Sequence, residues 1–94
     1  MKTTTYRSKI RICFDILDVI RKEEGLARPT KILYGANLSH DRLMRYLKEL
    51  QETGLIERIE KEGRVYYSLT QKGREFLREF RKIEEFLTAF GFAI

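Results

Sequence analysis

The stretch NLSHDRLMRYLKELQETGLIERI, residues 37–59, decides how this chain folds. Leu43, Leu47 and Leu50 recur at steps of four and three, which places them on one face of a helix, while Arg42, Arg45 and Lys48 fall between them. Ser39 is a favourable N-cap, and Asp41 in the first turn suits the positive end of the helix dipole. Leu38 before the cap and Leu43 four residues after it match a hydrophobic staple, and Asn37 tolerates the left-handed backbone that closes a preceding helix. The pattern predicts a helix from about His40 to Thr53, entered by a tight turn and stopped at Gly54.

Downstream, Leu55–Glu60 and Arg64–Leu69 are rich in strand formers and flank Lys61-Glu62-Gly63, a short turn whose glycine suits a positive φ. Val65, Tyr67 and Leu69 share one strand face, and Arg64, Tyr66 and Ser68 the other. Thr70 then caps a long final helix, weakened or interrupted at Gly73. Upstream, Ser8–Glu24 carries Ile10, Cys13, Phe14, Leu17 and Ile20 on one helical face and ends at Gly25. Pro29 breaks the chain, and Thr30 caps a short second helix that buries Ile32, Leu33 and Ala36. The expected class is mainly α with a β-hairpin (α+β), one domain over residues 1–94, with a body at 8–69, a hairpin at about 55–69 and a projecting helix at 70–92.

That last helix offers two readings. Phe76, Phe80, Ile83, Leu87 and Phe90 follow the four-three spacing of a coiled-coil seam, and Leu77 and Phe86 widen the stripe. A helix over 70–92 spans roughly 34 Å, longer than a small body needs, so self-association through these residues is expected; packing on the chain's own body is the alternative.

Ninety-four residues bury enough surface for a core without staples, and a single cysteine, Cys13, precludes an intrachain disulfide or a cysteine-rich zinc site. No run approaches the roughly 20 apolar residues of a membrane span, and the N-terminus lacks the apolar stretch of a signal peptide, so a soluble cytoplasmic protein is expected. The net charge of +5 is unevenly placed. Met1–Cys13 holds Lys2, Arg7, Lys9 and Arg11 with no acid; Leu26–Lys48 holds Arg28, Lys31, Arg42, Arg45 and Lys48 against Asp41 alone, whereas Glu49–Gly63 is net acidic. Clustered cations suit a polyanion, with an ordinary solvated surface as the plain alternative.

Catalytic chemistry has no visible basis. There is no Gly-rich phosphate loop, nucleophile motif or metal-ligand spacing, and His40 is the only histidine. The acidic pairs Asp15/Asp18, Glu23/Glu24 and Glu84/Glu85 fit solvated helix faces. No cofactor, metal or small-molecule ligand is expected.

The order helix, helix, tight turn, helix, hairpin, helix is that of a helix-turn-helix with a wing. On NLSHDRLMRYLKELQETGLIERI, the hairpin EKEGRVYYSLT and the exit QKG, the chain resembles the winged helix-turn-helix family of DNA-binding regulators over about Thr30–Gly73. With the terminal helix included, it is similar to small archaeal members that dimerise through an antiparallel coiled coil, some chromatin-associated (nucleoid-associated) and others transcriptional regulators. The resemblance implies a homodimer on double-stranded DNA, with the third helix in the major groove and the hairpin alongside. Ser39, His40, Arg42, Met44, Arg45 and Lys48 are then the DNA-side candidates: His40, Met44 and Arg45 nearest base edges, Arg42 or Lys48 nearest phosphates. Lys61 and Arg64 flank the wing turn, and the basic N-terminal arm adds further phosphate-facing candidates. The alternatives are a face neutralised by Asp41, Glu49 and Glu52, and a winged helix that binds protein instead of DNA.

Overall fold

The computed structural model describes residues 7–93; Lys2, a cation of the expected N-terminal arm, lies outside them. The elements run α1 Lys9–Lys22, β1 Leu26–Ala27, α2 Pro29–Gly35, α3 His40–Glu52, β2 Ile56–Lys61, β3 Arg64–Leu69 and α4 Gln71–Ala89. The expected class holds: four helices and a hairpin wing. The hairpin belongs to a three-stranded antiparallel sheet of order β1-β3-β2, in which Leu26 pairs with Ser68 and Ala27 with Tyr67.

The Ser8 side chain caps α1 by accepting the Arg11 N–H at 3.1 Å. The buried residues of α1 are Ile12, Phe14, Ile16, Leu17 and Ile20, while Ile10 is 44% exposed and Cys13 half-buried. The expected single stripe is therefore rotated and widened, because α1 is covered from several sides, by α2, the sheet and α4. At α2 the expected Thr30 cap gives way to Pro29 at the first helical position, with Arg28 as an N-cap that makes no side-chain bond. Proline has no N–H to satisfy there, and its fixed φ already suits the first turn.

Asn37 takes φ +56° as α2 ends, and Leu38 and Leu43 are both buried across the entrance to α3. The Ser39 hydroxyl accepts the Arg42 N–H at 3.3 Å, and Leu43, Leu47 and Leu50 all face the core. The hairpin closes through Glu62 and Gly63, both left-handed (φ +51° and +75°), which sets Lys61 directly opposite Arg64. Two such residues give the turn a twist that matches the strands. Tyr67 and Leu69 are buried and Val65 half-buried, as the alternation requires.

The Thr70 side chain caps α4 at the Gly73 N–H (3.0 Å) and donates to the Gly54 and Leu55 carbonyls at 2.7 and 3.0 Å. Gly73 does not interrupt the helix. It is buried where α4 crosses the entry to β2, and a Cβ there would lie 2.3 Å from the Leu55 carbonyl oxygen. The helix is thus held against the sheet by the missing side chain.

The expected seam divides. Phe80 is buried and stacks on Phe14 of α1 at 4.6 Å between ring centroids, with Phe76 half-buried 6.0 Å from it. The Arg11 guanidinium lies 5.1 and 5.3 Å from the Phe14 and Phe80 rings and pairs with Glu84, so cation and carboxylate close this contact. Phe80 therefore belongs to the core and not to an external seam. Beyond it, Ile83 and Phe90 are exposed and Leu87 is half-exposed. Packing on the chain's own body therefore accounts for the first half of α4, and the second half leaves its apolar residues uncovered.

Candidate nucleic-acid interface

Burial of Leu43, Leu47 and Leu50 turns the remaining faces of α3 outward. Ser39, His40, Arg42, Met44, Arg45 and Lys48 are all exposed, as are Lys61 and Arg64 at the hairpin tip. At about 100° per residue, Arg45 points most directly away from the core, beside Glu52 and Asp41, with Lys48 next; His40 and Met44 lie on Lys48's flank, and Arg42 on the other.

The ion pairs distinguish these cations from those of α1 and of the second half of α4, though not from Arg28, Lys72, Arg74 and Arg78, which also lack a carboxylate partner among the described residues. On α1 and α4, Arg11 pairs with Glu84, Arg21 and Lys22 with Asp18, Arg81 with Asp18 and Lys82 with Glu79. Arg42, Arg45, Lys48, Lys61 and Arg64 form no ion pair among the described residues. Glu49, one of the carboxylates that could have neutralised α3, is held instead by Lys9, and Asp41 has only the His40 ring for a neighbour, at 3.9 Å. The Lys9 bond to Glu49 raises the ammonium's pKa above its ordinary value.

At the tip, Lys61 and Arg64 are cross-strand partners in register. Like charges placed this way oppose hairpin formation by a few tenths of a kcal/mol or more. The same sheet face carries Ile59 and Tyr66, and the Arg28 guanidinium sits 5.6 Å from the Tyr66 ring. Arg28 therefore extends the basic strip from the tip towards α2. Its sequence neighbours carry no sign of this role, because only the pairing of β1 with β3 brings it beside Tyr66.

The expected N-terminal arm is largely engaged elsewhere. Arg7 bonds Asp15 and the Asn37 carbonyl, both at 2.9 Å, and so ties α1 to the turn before α3; Arg11 is held by Asp15 and Glu84. Lys9 lines a surface depression with Arg42, Arg45, Tyr46 and Glu49. Lys9 and Tyr46 thus join α3's cations on one side, a grouping created by the packing of α1 on α3. Among the described residues no set of three His, Cys, Asp or Glu side chains could hold a metal, and no helix is long and apolar enough to cross a membrane.

The arrangement presents a two-faced helix about 10–12 Å across, which matches the major groove's width of about 12 Å. A two-stranded ribbon with a doubly charged tip stands on the same body. Among the described residues this surface has no enclosed pocket with converging acid and base; its free charge is mixed but mainly positive, with Asp41 and Glu52 on α3 and Glu62 in the wing turn exposed among the five cations.

The sequence profile described as winged helix-turn-helix matches residues 6–88. Comparison with curated proteins finds no match. Among solved structures, Sso10a-2, a DNA-binding protein from Sulfolobus solfataricus, is 31% identical with a TM-score of 0.71, the alignment covering 88% of this chain and 87% of that one. BpsR from Bordetella bronchiseptica, whose DNA binding is regulated by 6-hydroxynicotinic acid, gives a TM-score of 0.74 at 20% identity over 85% of this chain and 60% of its own. MarR from E. coli, solved with operator DNA, gives 0.65 at 23% identity over 71% of this chain and 49% of its own. At such identities the last two share the fold alone, and this chain spans only half to three-fifths of their length.

Proposed function

This chain belongs to the winged helix-turn-helix family, and from that membership we propose that it is a homodimeric double-stranded DNA-binding protein, acting as a transcriptional regulator or a chromatin-associated (nucleoid) protein. The observation that carries the proposal is that Arg42, Arg45, Lys48, Lys61 and Arg64, on α3 and the wing tip, are all exposed and without a carboxylate partner among the described residues, whereas the cations of α1 are paired. Unneutralised cations on a groove-sized helix and on a wing tip are the surface that phosphates reward through counterion release.

In this reading α3 enters the major groove. His40, Met44 and Arg45 face base edges, Arg42 and Lys48 face flanking phosphates, and the Lys61–Arg64 tip reaches the adjacent backbone. Arginine's planar fork suits two parallel hydrogen bonds to guanine, the role assigned to Arg45, whereas Lys48 offers a point charge. The second copy joins through the exposed part of α4, at Ile83, Leu87 and Phe90, in an antiparallel coiled coil. Two linked α3 helices bind with the avidity of a bivalent contact.

The test is Arg45→Ala, measured by fluorescence anisotropy on a preferred duplex and on random duplex. A loss of about 1–3 kcal/mol on the preferred sequence and less on random DNA supports base reading by Arg45 and a regulatory role. Equal losses on both assign Arg45 to phosphate and favour the chromatin role. Unchanged binding to both contradicts the proposed docking face.

A further inference from the structure

The far end of α4 closes on itself. The Gly91 N–H bonds the Thr88 carbonyl and the Phe92 N–H bonds the Leu87 carbonyl, each at 2.9 Å, with Gly91 at φ +87°. This is the paired hydrogen-bond pattern of a Schellman motif. It gathers three rings outside the body: Phe86 and Phe90, with centroids 5.0 Å apart, and Phe92 beyond the turn. They are 62%, 67% and 63% exposed. An ordered aromatic knob in water is costly, since each ring leaves on the order of 100 Å² uncovered.

Near the start of the same helix lies an apolar groove lined by Ile10, Cys13, Leu50, Leu55 and Phe76, about 320 Å³ in volume, with Lys9 and Glu49 at its rim. A dry cavity of about 150 Å³ accommodates one benzene ring, so this groove has room for two phenyl rings. Knob and groove are linked by one stripe of α4, because Phe76, Ile83 and Phe90 share a helical face and Phe76 and Phe90 lie about 21 Å apart along it.

Ile83 is the midpoint of that stripe. A two-fold axis through Ile83, perpendicular to α4, carries Phe90 of one copy over Phe76 of the other and does the reverse at the same time. A parallel pairing would set knob against knob and leave both grooves open. The six exposed rings of two knobs alone offer about 600 Å² of apolar surface, at on the order of 100 Å² each, before the groove walls and Ile83 are counted.

We propose that each copy's Phe90 and Phe92 seat in the other copy's groove at Ile10, Cys13 and Phe76. The assignment rests on the dimer reading above and adds its specific lock. Because the groove is walled by α1, α3 and the root of the wing, the partner's rings brace the body that carries the DNA-facing helix. The spacing of the two α3 helices is thereby fixed.

Cys13, the chain's only thiol, reports directly on the groove. The test measures iodoacetamide alkylation of the full chain, with sedimentation run at the same concentration. The expected result is a wild-type dimer with slow alkylation, at least fivefold faster alkylation in Phe92→Ala, and a near wild-type rate in Phe92→Leu, which restores an apolar side chain. In urea all three chains should react alike. A dimer in which Phe92→Ala leaves the Cys13 rate unchanged overturns the groove assignment and spares the dimer reading. A monomeric wild type overturns both.

Discussion

Replacing Gly73 with alanine separates two opposed expectations. Helix propensity alone makes Gly73→Ala stabilising by about 0.8–1 kcal/mol in a helix interior. The packing reverses that sign. The added Cβ would sit 2.3 Å from the Leu55 carbonyl oxygen and 3.0 Å from Leu69 Cδ1, well inside ordinary contact. Leu55 is backbone at the entry to β2, so relief requires α4 or the strand to move by about 1 Å, and overpacking of this kind costs about 1–3 kcal/mol or more. The same carbonyl accepts the Thr70 N–H at 3.1 Å and the Thr70 hydroxyl at 3.0 Å, bonds that the displacement strains. Each contributes about 1 kcal/mol. The net expectation is a loss of about 2–4 kcal/mol. At an m value of about 1–1.5 kcal/mol per molar, the urea midpoint falls by roughly 2 M, measured at fixed protein concentration because association shifts apparent stability. A variant as stable as wild type, or more so, refutes the account of why α4 lies where it does.

At the wing, Lys61→Ala/Arg64→Ala should lower the salt slope of DNA binding by about 2 per protomer, at roughly 0.9 for each phosphate that is no longer neutralised. Chemical denaturation should show unchanged or slightly raised stability, since the variant relieves a like-charge pair. Asp18 joins Arg21 and Arg81 at 2.9 and 2.8 Å and so links α1 to α4. Burial pushes its carboxyl up, but bonds and charge from Arg21 and Lys22 more than offset this and hold it below the usual value. A folded pKa below the unfolded one gives stability that is present above the unfolded value and lost as pH falls through the folded one. Asp18→Asn should therefore cost about 0.5–1 kcal/mol near neutral pH, and the difference from wild type should begin to shrink as pH approaches the ordinary 3.8 and close only below the lowered folded value. Denaturation curves at neutral and acid pH check both.

What was legible in the sequence was what local chemistry decides. The Ser39 cap, the Leu43–Leu47–Leu50 face and the alternation of β3 depend on near neighbours, and each is realised. Other features exist only through distant contacts. β1 is two residues long and is defined by pairing with Tyr67 and Ser68, so no periodicity could announce it. Ile12 and Ile16 are buried because α1 is covered from several sides, which a one-stripe reading cannot supply. Gly73 read as a weakness because the carbonyl that requires it lies 18 positions earlier in the chain, at Leu55. Phe80 fitted a seam by spacing, yet Phe14 competes for it. On α3 the outward residues followed from its period, whereas Lys9's hold on Glu49, a contact 40 positions away in the chain, did not. Arg28 had no local signal at all.

The most direct test of the central claim is anisotropy titration of the full chain on duplex DNA at a series of salt concentrations. The five unpaired cations of α3 and the wing tip predict a log–log slope of about −4 or steeper, reduced together with affinity by Arg42→Ala/Arg45→Ala. Absence of binding at low salt, or binding that is indifferent to both salt and the substitutions, would contradict it.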